Sequence, residues 1–459
     1  MIDGERAQAR PGARHVWIVN HHAALPDQAA GTRHFALARE LVRHGHTVTI
    51  FAASVGHHHR GGDRRLGSRR LSRAQQVDGI RFVWLRTFPY RGNDWRRQVN
   101  MLSFLVVFLV VQARERRPDI VIGSTVHPFA AFGGWLAARL RGARFAFEIR
   151  DLWPQTLVDL GAMRTGSAGE RLLRGLEAFL VRRASAVITL LPGMREYLAE
   201  RGLPTGHVVY IPNGADLAAF EDRPPPGEPP ASTRACQDAV ARLRAEGRFV
   251  LGYLGAFGRV NRVDVIVEAA ALAEAREPGR IGVVLVGQGP ERPDVERLAA
   301  GQPAIALCPA IPRYTVPALL RDLDATVVHT AYTPVYRYGI SFNKLFEYMA
   351  AAKPVVFACD SAYDPVAATG SGITVRPDDP GALVAAFLEL AHATPETRAV
   401  MGSAARAYVV RPGDTVWGIA KRLAAPGSDP RPLVDALIRA NHLRGARVAP
   451  WERLVVPQV

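Results

Sequence analysis

Tyr338-Gly-Ile-Ser-Phe-Asn-Lys-Leu-Phe-Glu-Tyr-Met-Ala-Ala-Ala-Lys-Pro-Val-Val-Phe357 is the stretch from which the fold of this chain is best read. Gly339 and Ser341 supply a small-residue turn, the residues after it have the spacing of a short amphipathic helix, and Lys353-Pro354 leads into an apolar run that reads as a buried strand. Glu347 is expected about two turns into the helix. A helix start offers unsatisfied backbone N–H groups and the positive end of the helix dipole. An anion is therefore expected there, with one carboxylate close behind it.

On both sides of this stretch, short apolar runs alternate with longer helical patterns, the rhythm of parallel sheets built from βα units. His15-Val-Trp-Ile-Val-Asn20 reads as a first strand, followed by a loop to Gly31-Thr32, a helix through Leu41 closed by Gly45-His46, and a strand over 47–52. Further strands are expected over 81–85, 120–123, 145–149, 186–190 and 208–211. A second series covers 249–254, 282–286, 304–308, 325–328, 354–358 and 372–375. Between the two series lies Pro224-Pro-Pro-Gly-Glu-Pro-Pro230, a stiff segment that joins neither a helix nor a central strand. The expected fold class is α/β, with two Rossmann-like domains over residues 1–218 and 219–407. They would face each other across a cleft, with ligands at the carboxyl ends of the strands.

The 459 residues suffice for two or three cores of this size. A net charge of +16, carried mostly by arginine, favours an anionic partner such as nucleotide phosphates, nucleic acid or an acidic membrane surface. Nucleic acid is not expected, because neither an aromatic-basic RNA motif nor a helix-turn-helix pattern accompanies the charge. Cys236, Cys308 and Cys359 are widely spaced and form no Cys-x-x-Cys pair, which argues against a disulfide framework or a zinc site. Residues 1–14 are polar and Arg-rich, with no apolar core of a secretory signal, so the expected compartment is the cytoplasm.

Met101 to Val111 is apolar apart from Ser103 and is bracketed by Arg96-Arg97 and Arg114-Glu-Arg-Arg117. It is too short to span a bilayer. Two readings stay open: a buried helix of the first domain, or a helix lying in a membrane interface with its basic ends on anionic headgroups.

Polar residues cluster where the strands are expected to end. Gly31-Thr32-Arg33 opens a helix after the first strand, which suits amides and a guanidinium near a phosphate. His127 follows another strand directly, and Glu148-Ile-Arg150-Asp151-Leu-Trp-Pro154 closes the next. Leu191-Pro-Gly-Met194 and Ile211-Pro-Asn-Gly-Ala-Asp216 read as turn chemistry with a structural role. In the second series, Gly287-Gln-Gly289 ends a strand and permits close approach of a base or ribose, and Leu254-Gly-Ala-Phe-Gly-Arg-Val-Asn-Arg262 brings Arg259 and Arg262 to a strand end. Asp322-Leu-Asp324 precedes a strand and so belongs to the opposite end of the sheet.

The 338–357 segment and the Glu148–Pro154 string together resemble the retaining glycosyltransferases of family 4, which hold a sugar nucleotide between two Rossmann-like domains in the GT-B arrangement. The Glu-x-Arg-Asp-Leu-Trp-Pro string resembles a branch that transfers N-acetylated aminosugars in O-antigen and capsule assembly. Four positions depart from the common family pattern. Arg150 stands where many members have histidine, Ala256 and Asn261 stand where an arginine and a lysine usually meet the donor diphosphate, and Gly339 replaces the first of two glutamates of which Glu347 is the second.

The resemblance implies a UDP-sugar co-substrate, a lipid-linked or polysaccharide acceptor, and neither a metal nor a further cofactor. It assigns transfer chemistry to His127, Glu148, Arg150 and Asp151. Donor binding falls to Gly31, Arg33, Arg259, Arg262, Gly287, Asn343, Lys344 and Glu347, with Glu347 on the ribose. The expected place of work is the cytoplasmic face of the inner membrane, with peripheral contact to anionic lipid.

The last fifty residues read as strand, helix, helix, strand. Pro412-Gly413-Asp414-Thr415, Trp417, Ile419-Ala420, Asn441 and Leu454-Val-Val-Pro457 resemble a LysM module over 408–459, a small βααβ fold that binds N-acetylglucosamine-containing glycans. The resemblance makes Gly413, Asp414, Thr415 and Asn441 its glycan-binding candidates. It also opens a different reading of the whole chain, as a glycan-binding protein on an inactive transferase scaffold. Family 4 chains usually end in a helix that returns to the first domain, and here Arg398 to Tyr408 runs directly into the LysM-like strand, leaving no separate segment for it.

Overall fold

The computed structural model describes residues 12–25, 33–55, 70–90, 95–125, 127–220 and 227–409. The chain divides into two compact units, Met1–Tyr210 and Ile211–Val459. The LysM-like module, with Gly413, Asp414, Thr415 and Asn441, lies outside the described residues, as does Gly31.

The first unit begins with β1 (His15–Val19), α1 (Arg33–Arg43), β2 (Thr47–Ala53), β3 (Ser72–Val77), β4 (Ile80–Leu85), α2 (Trp95–Val111), β5 (Ile120–Ser124) and α3 (Pro128–Arg141). It continues with β6 (Arg144–Ile149), α4 (Gln155–Asp159), α5 (Ala168–Arg183), β7 (Ala186–Thr189), α6 (Met194–Glu200) and β8 (Val208–Tyr210). These strands form one eight-stranded sheet in the order β3-β4-β2-β1-β5-β6-β7-β8. All pairings are parallel except β3 with β4.

The central strands are apolar runs because helices cover both faces of a parallel sheet. Every residue of β1 is buried, and Trp17, Phe51, Phe82 and Trp84 fill the space around it. Chain order reverses between β1 and β5, the place where an open parallel sheet leaves a crevice at the strands' carboxyl ends. Helix α3 packs tightly on β5 because both present glycine, and a Cβ added to Gly134 would stand 3.1 Å from the Cα of Gly123.

Strand β3 was not legible as a strand, since Ser72-Arg-Ala-Gln-Gln-Val77 is polar and largely exposed. It exists because Asp78-Gly79, both with positive φ (49° and 76°), turn the chain back as a two-residue hairpin. Helix α2 buries Asn100, Met101, Phe104, Phe108 and Val111, so its inward face is core. Among the described residues no helix is long and apolar enough to cross a membrane.

The second unit contains α7 (Ala231–Ala245), β9 (Phe249–Leu254), α8 (Val263–Arg276), β10 (Ile281–Val286), α9 (Arg292–Ala299), β11 (Ile305–Cys308) and α10 (Val316–Arg321). It ends with β12 (Ala325–His329), α11 (Asn343–Ala350), β13 (Val355–Ala358), α12 (Pro365–Thr369), β14 (Gly372–Val375), α13 (Pro380–His392) and α14 (Pro395–Tyr408). Its six described strands are all parallel, in the order β11-β10-β9-β12-β13-β14, which reverses between β9 and β12. Two apolar cores sandwich the sheet, one around Phe257, Ile266 and Phe387, the other around Leu319, Leu345, Phe346 and Tyr348.

This unit begins before the proline-rich stretch. Leu217 and Phe220 are buried in its core, so residues 211–220 belong with the second sheet and not with the first. At its other end, Tyr408 stacks on Phe346 and Val409 is 3% exposed, so α14 closes this core and the chain through Val409 is part of it. The Asp322-Leu-Asp324 string lies at the amino end of β12, where Asp324 accepts the Val250 N–H (2.8 Å) and pairs with Arg244 (2.6 Å).

Candidate functional site

In the first unit the reversal between β1 and β5 gathers Asn20, Arg33, His34, Ser124 and Glu148 into one buried network. Glu148, at the carboxyl end of β6, is 1% exposed. One of its oxygens accepts from Arg33 Nε (3.0 Å) and the other from His34 Nε2 (2.6 Å). Asn20 Nδ2 donates to Ser124 Oγ at 2.8 Å beside them. Burial works against the charged form of Glu148, but His34 and Arg33 outweigh it and hold the carboxyl well below its usual range. Burial lowers the pKa of His34 against the pull of Glu148. Each Glu148 oxygen thus accepts a bond from a neighbour on α1, which ties the carboxylate into the network.

His127 is the N-cap of α3, where its Nδ1 accepts the Ala130 N–H at 3.3 Å. The ring is buried beside His21 and Phe104, and burial pushes its pKa well below the usual value, helped by His21 and Arg97. A neutral ring with Nδ1 occupied carries its proton on Nε2, and that atom is buried with no partner among the described residues. His127 is therefore a hydrogen-bond donor in this geometry and not a base. Arg150 and Asp151 follow β6, Arg150 half-buried and Asp151 exposed. The Arg150 N–H donates to Thr125 Oγ1 at 2.9 Å, while its Nε is buried without a partner among the described residues.

The second unit holds a different kind of site. Helix α11 starts at Asn343 with no side chain capping it, and follows β12 in the chain. The helix is short, so Glu347 sits little more than one turn in, nearer the helix start than the spacing suggested. Lys344 Nζ donates to Tyr253 OH (2.9 Å) and Asn261 Oδ1 (2.7 Å) and lies 4.5 Å from the Tyr253 ring centroid. No carboxylate bonds it among the described residues. Burial alone pulls its pKa down to about 7. A cation this poorly compensated attracts an anion.

Asn261 thus occupies the usual place of a family lysine but acts as an acceptor that aims Lys344. Glu347 Oε1 accepts from Arg313 at 2.5 Å, and burial raises its pKa against that partner's pull. Arg259 is exposed and makes no hydrogen bond or ion pair among the described residues. Arg262 differs from the sequence expectation, since Asp264 (3.0 Å) and Asp378 (3.1 Å) already neutralise it. Its guanidinium ties the turn after β9 to the loop after β14.

Gly287 also has a reason other than the expected one. The 255–257 loop runs along 286–288 through bonds from Gly255 N to Val286 O and from Phe257 N to Gln288 O. A Cβ on Gly287 would stand 1.9 Å from the Gly255 carbonyl oxygen, so the glycine admits protein backbone. The Asn213 turn proves to be a clip: its N–H donates to Ser341 Oγ (2.8 Å) and its side chain to Ser341 O (2.5 Å), fixing the approach to α11.

Sequence reading missed His34, Tyr253, Arg313 and the Asn213–Ser341 clip. Only His34 left a local signal, a second polar residue beside Arg33 on a helix that is otherwise apolar on that face.

The comparisons with known proteins agree with this architecture. Residues 7–214 match the model of the glycosyl transferase 4-like domain, residues 248–393 that of glycosyl transferases group 1, and residues 408–457 that of the LysM domain. A D-inositol 3-phosphate glycosyltransferase of Kineococcus radiotolerans is 25% identical over 435 residues, covering 86% of this chain and 92% of the relative. Sucrose-phosphate synthase from Thermosynechococcus elongatus has a similar fold, with a TM-score of 0.63 at 17% identity over 86% of this chain and 93% of that one. Anabaena HepE, solved in complex with UDP and glucose, gives a TM-score of 0.58 at 16% identity over 86% and 94% of the two chains.

Proposed function

We propose that this chain, which belongs to the glycosyltransferases of the GT-B type and carries a LysM domain, transfers a sugar from a UDP-sugar to a lipid-linked or polysaccharide acceptor. The observation that carries the donor assignment is Lys344, a cation held by neutral partners at the open start of α11. A nucleotide diphosphate satisfies both the ammonium and the free amides. Tyr253 and Asn261 are neutral, so neither supplies the counter-charge that a diphosphate would bring. Glu347, with Oε2 unbonded among the described residues, is the candidate for the ribose hydroxyls.

Departure of UDP leaves negative charge on the β-phosphate, and Lys344 with the amides of Asn343 and Lys344 stabilises it where it develops. These groups meet the charge from the protein side, and the resemblance implies that the reaction needs no metal ion and retains configuration. In the first unit, the His127 Nε2–H and the Arg150 guanidinium bind acceptor oxygens, while Glu148 keeps Arg33 and His34 in place. The Glu148–Pro154 string supports an N-acetylated hexosamine as the sugar and cell-surface polysaccharide as the pathway. The place of work is the cytoplasmic side of the inner membrane.

A screen of UDP-sugars for UDP release tests this, with UDP-N-acetylglucosamine and its epimer expected to give turnover and chelator expected to have no effect. The LysM match favours one other reading, a glycan-binding protein on an inactive scaffold. Binding of chitin oligomers with no nucleotide binding in titration would establish that reading instead. A chain ending after Val409 isolates the LysM contribution without cutting into the second unit's core.

A further inference from the structure

The sheet of the first unit carries a second concavity, at the end opposite the Glu148 network. The parallel register sets Val16 beside Ile120 and Ile120 beside Arg144, so β1, β5 and β6 begin side by side. Backbone bonds from Asp119 N to His15 O (2.8 Å) and from Arg144 N to Asp119 O (3.0 Å) hold those three starts together. A cavity of about 440 Å³ opens there, and its lining includes Arg14, Arg116, Arg117, Arg144, Asp119 and Gly142. That volume falls among small-ligand sites, roughly 300–1,000 Å³, but the lining is cationic where such sites are usually apolar.

The charge in this cavity is poorly balanced from within. Asp119 is the one carboxylate among the described lining residues, and it accepts the His15 N–H at 2.7 Å and stands 3.9 Å from Arg14. Nearby Glu115 is held by Arg81 through two bonds (2.8 and 3.0 Å). Arg117 donates from Nε to Arg141 O (2.6 Å), the last carbonyl of α3, and so offsets the negative end of that helix. Its guanidinium has room because residue 142 is glycine: a Cβ there would stand 2.6 Å from Arg117 Nη2. Arg116 and Arg144 are exposed, and their side chains make no hydrogen bond or ion pair among the described residues. Like charges gathered in a concavity repel one another and focus a field on whatever enters it.

We propose that this cavity binds a small anion carrying at least two phosphate groups, either free pyrophosphate or the diphosphate of a nucleotide. Arg116 and Arg144 supply two unspent guanidinium forks, each matched to two oxygens of a phosphate, and Arg14 and Arg117 add charge beside them. A single phosphate engages one fork and leaves the other unanswered, so the diphosphate is the better fit. The site is roughly 16 Å from the Glu148 network, the length of the five-residue strand β1 that joins them. The donor site belongs to the second unit, so this assignment does not rest on the transferase reading.

The test is calorimetric titration of the full chain with inorganic pyrophosphate, in a Lys344→Met background that removes the cation of the donor site. One pyrophosphate per chain is expected to bind, more weakly as salt is raised. Arg116→Glu with Arg144→Glu is expected to weaken binding about tenfold or more, and thermal unfolding should be unchanged because neither side chain is bonded. Arg276→Glu with Arg297→Glu, the same charge change at exposed positions of α8 and α9, controls for the chain's general basicity and is expected to bind as the background does. ADP in place of pyrophosphate separates the two sources: tighter binding through the same two arginines assigns a nucleotide, equal or weaker binding assigns free pyrophosphate. No pyrophosphate binding, or equal loss in the two double variants, would overturn the proposal. A chain that binds pyrophosphate through Arg116 and Arg144 but releases UDP from no sugar nucleotide would overturn the transferase reading alone.

Discussion

The two units reach the same kind of crevice, a reversal of strand order in a parallel sheet, and fill it with charge in opposite ways. At the first, the buried carboxylate Glu148 is closed on Arg33 and His34, and the charge is balanced inside the protein. At the second, Lys344 rests on a phenol and an amide, and no carboxylate among the described residues balances its charge. A buried pair whose partners are complete is architecture, while a half-buried cation without a described counter-ion is half of a binding site. The sharpest way to break this comparison is to remove each charge in turn and ask whether stability or binding responds.

The largest effect is expected at Glu148. Glu148→Ala strands Arg33 in the interior, and loss of one member of a buried pair costs about 3–5 kcal/mol. Denaturant unfolding should show this loss, and Glu148→Gln, which keeps the shape and one acceptor, should lose less. If Glu148→Ala unfolded like the parent while turnover vanished, Glu148 would be a reacting group and the contrast with Lys344 would fail.

Lys344→Met should behave the other way round. Charge-assisted bonds to the diphosphate contribute about 2–3 kcal/mol, so donor affinity should fall by roughly a hundredfold. Stability should hold or rise, because the change removes a poorly compensated buried ammonium. Calorimetric titration with a UDP-sugar, beside thermal unfolding of the same variant, reads both arms.

What the sequence disclosed, and what it withheld, follows the same division. The thirteen parallel strands were legible because strands buried on both faces are apolar runs bounded by turn residues. The polar edge strand β3 was not, although Asp78-Gly79 is a hairpin signal that marks it. Within the site, Lys344 and Asn343 could be named because helix start and charge are both local properties. Partners could not: that Arg262 is consumed by Asp264 and Asp378, that Arg33 is consumed by Glu148, and that Asn213 holds Ser341 are facts of approach between residues distant in sequence. A residue type announces which bonds it can make, and the fold decides which are already made.

A smaller effect sharpens the account of Lys344. Burial brings its pKa to about 7, and a bound diphosphate raises it again. Below that pH the ammonium is already present, whereas above it binding must draw a proton from solvent. Affinity for an intact UDP-sugar, whose diphosphate diester does not titrate in this range, should therefore fall as pH rises above 7, by up to about tenfold per unit. Titrations in two buffers of different ionisation enthalpy should detect the proton uptake. Lys344→Arg, charged throughout, should flatten the profile, and a slope that survived in it would place the titration on another group.

The smallest expected effect tests whether the second site is preorganised as well as charged. Asn213 fixes Ser341 through two bonds, and Ser341 stands two residues before the first turn of α11, so the clip sets where the amides and Lys344 point. Asn213→Ala removes the side-chain bond, worth about 1 kcal/mol, and leaves the charge untouched. If the crevice needs only the cation, donor KM should be unchanged. If the helix start must be aimed, KM should rise by a few fold with little change in pH dependence, because Lys344 keeps the same neutral partners. The second outcome is expected, since a helix start without a side-chain cap has its position set from outside the helix.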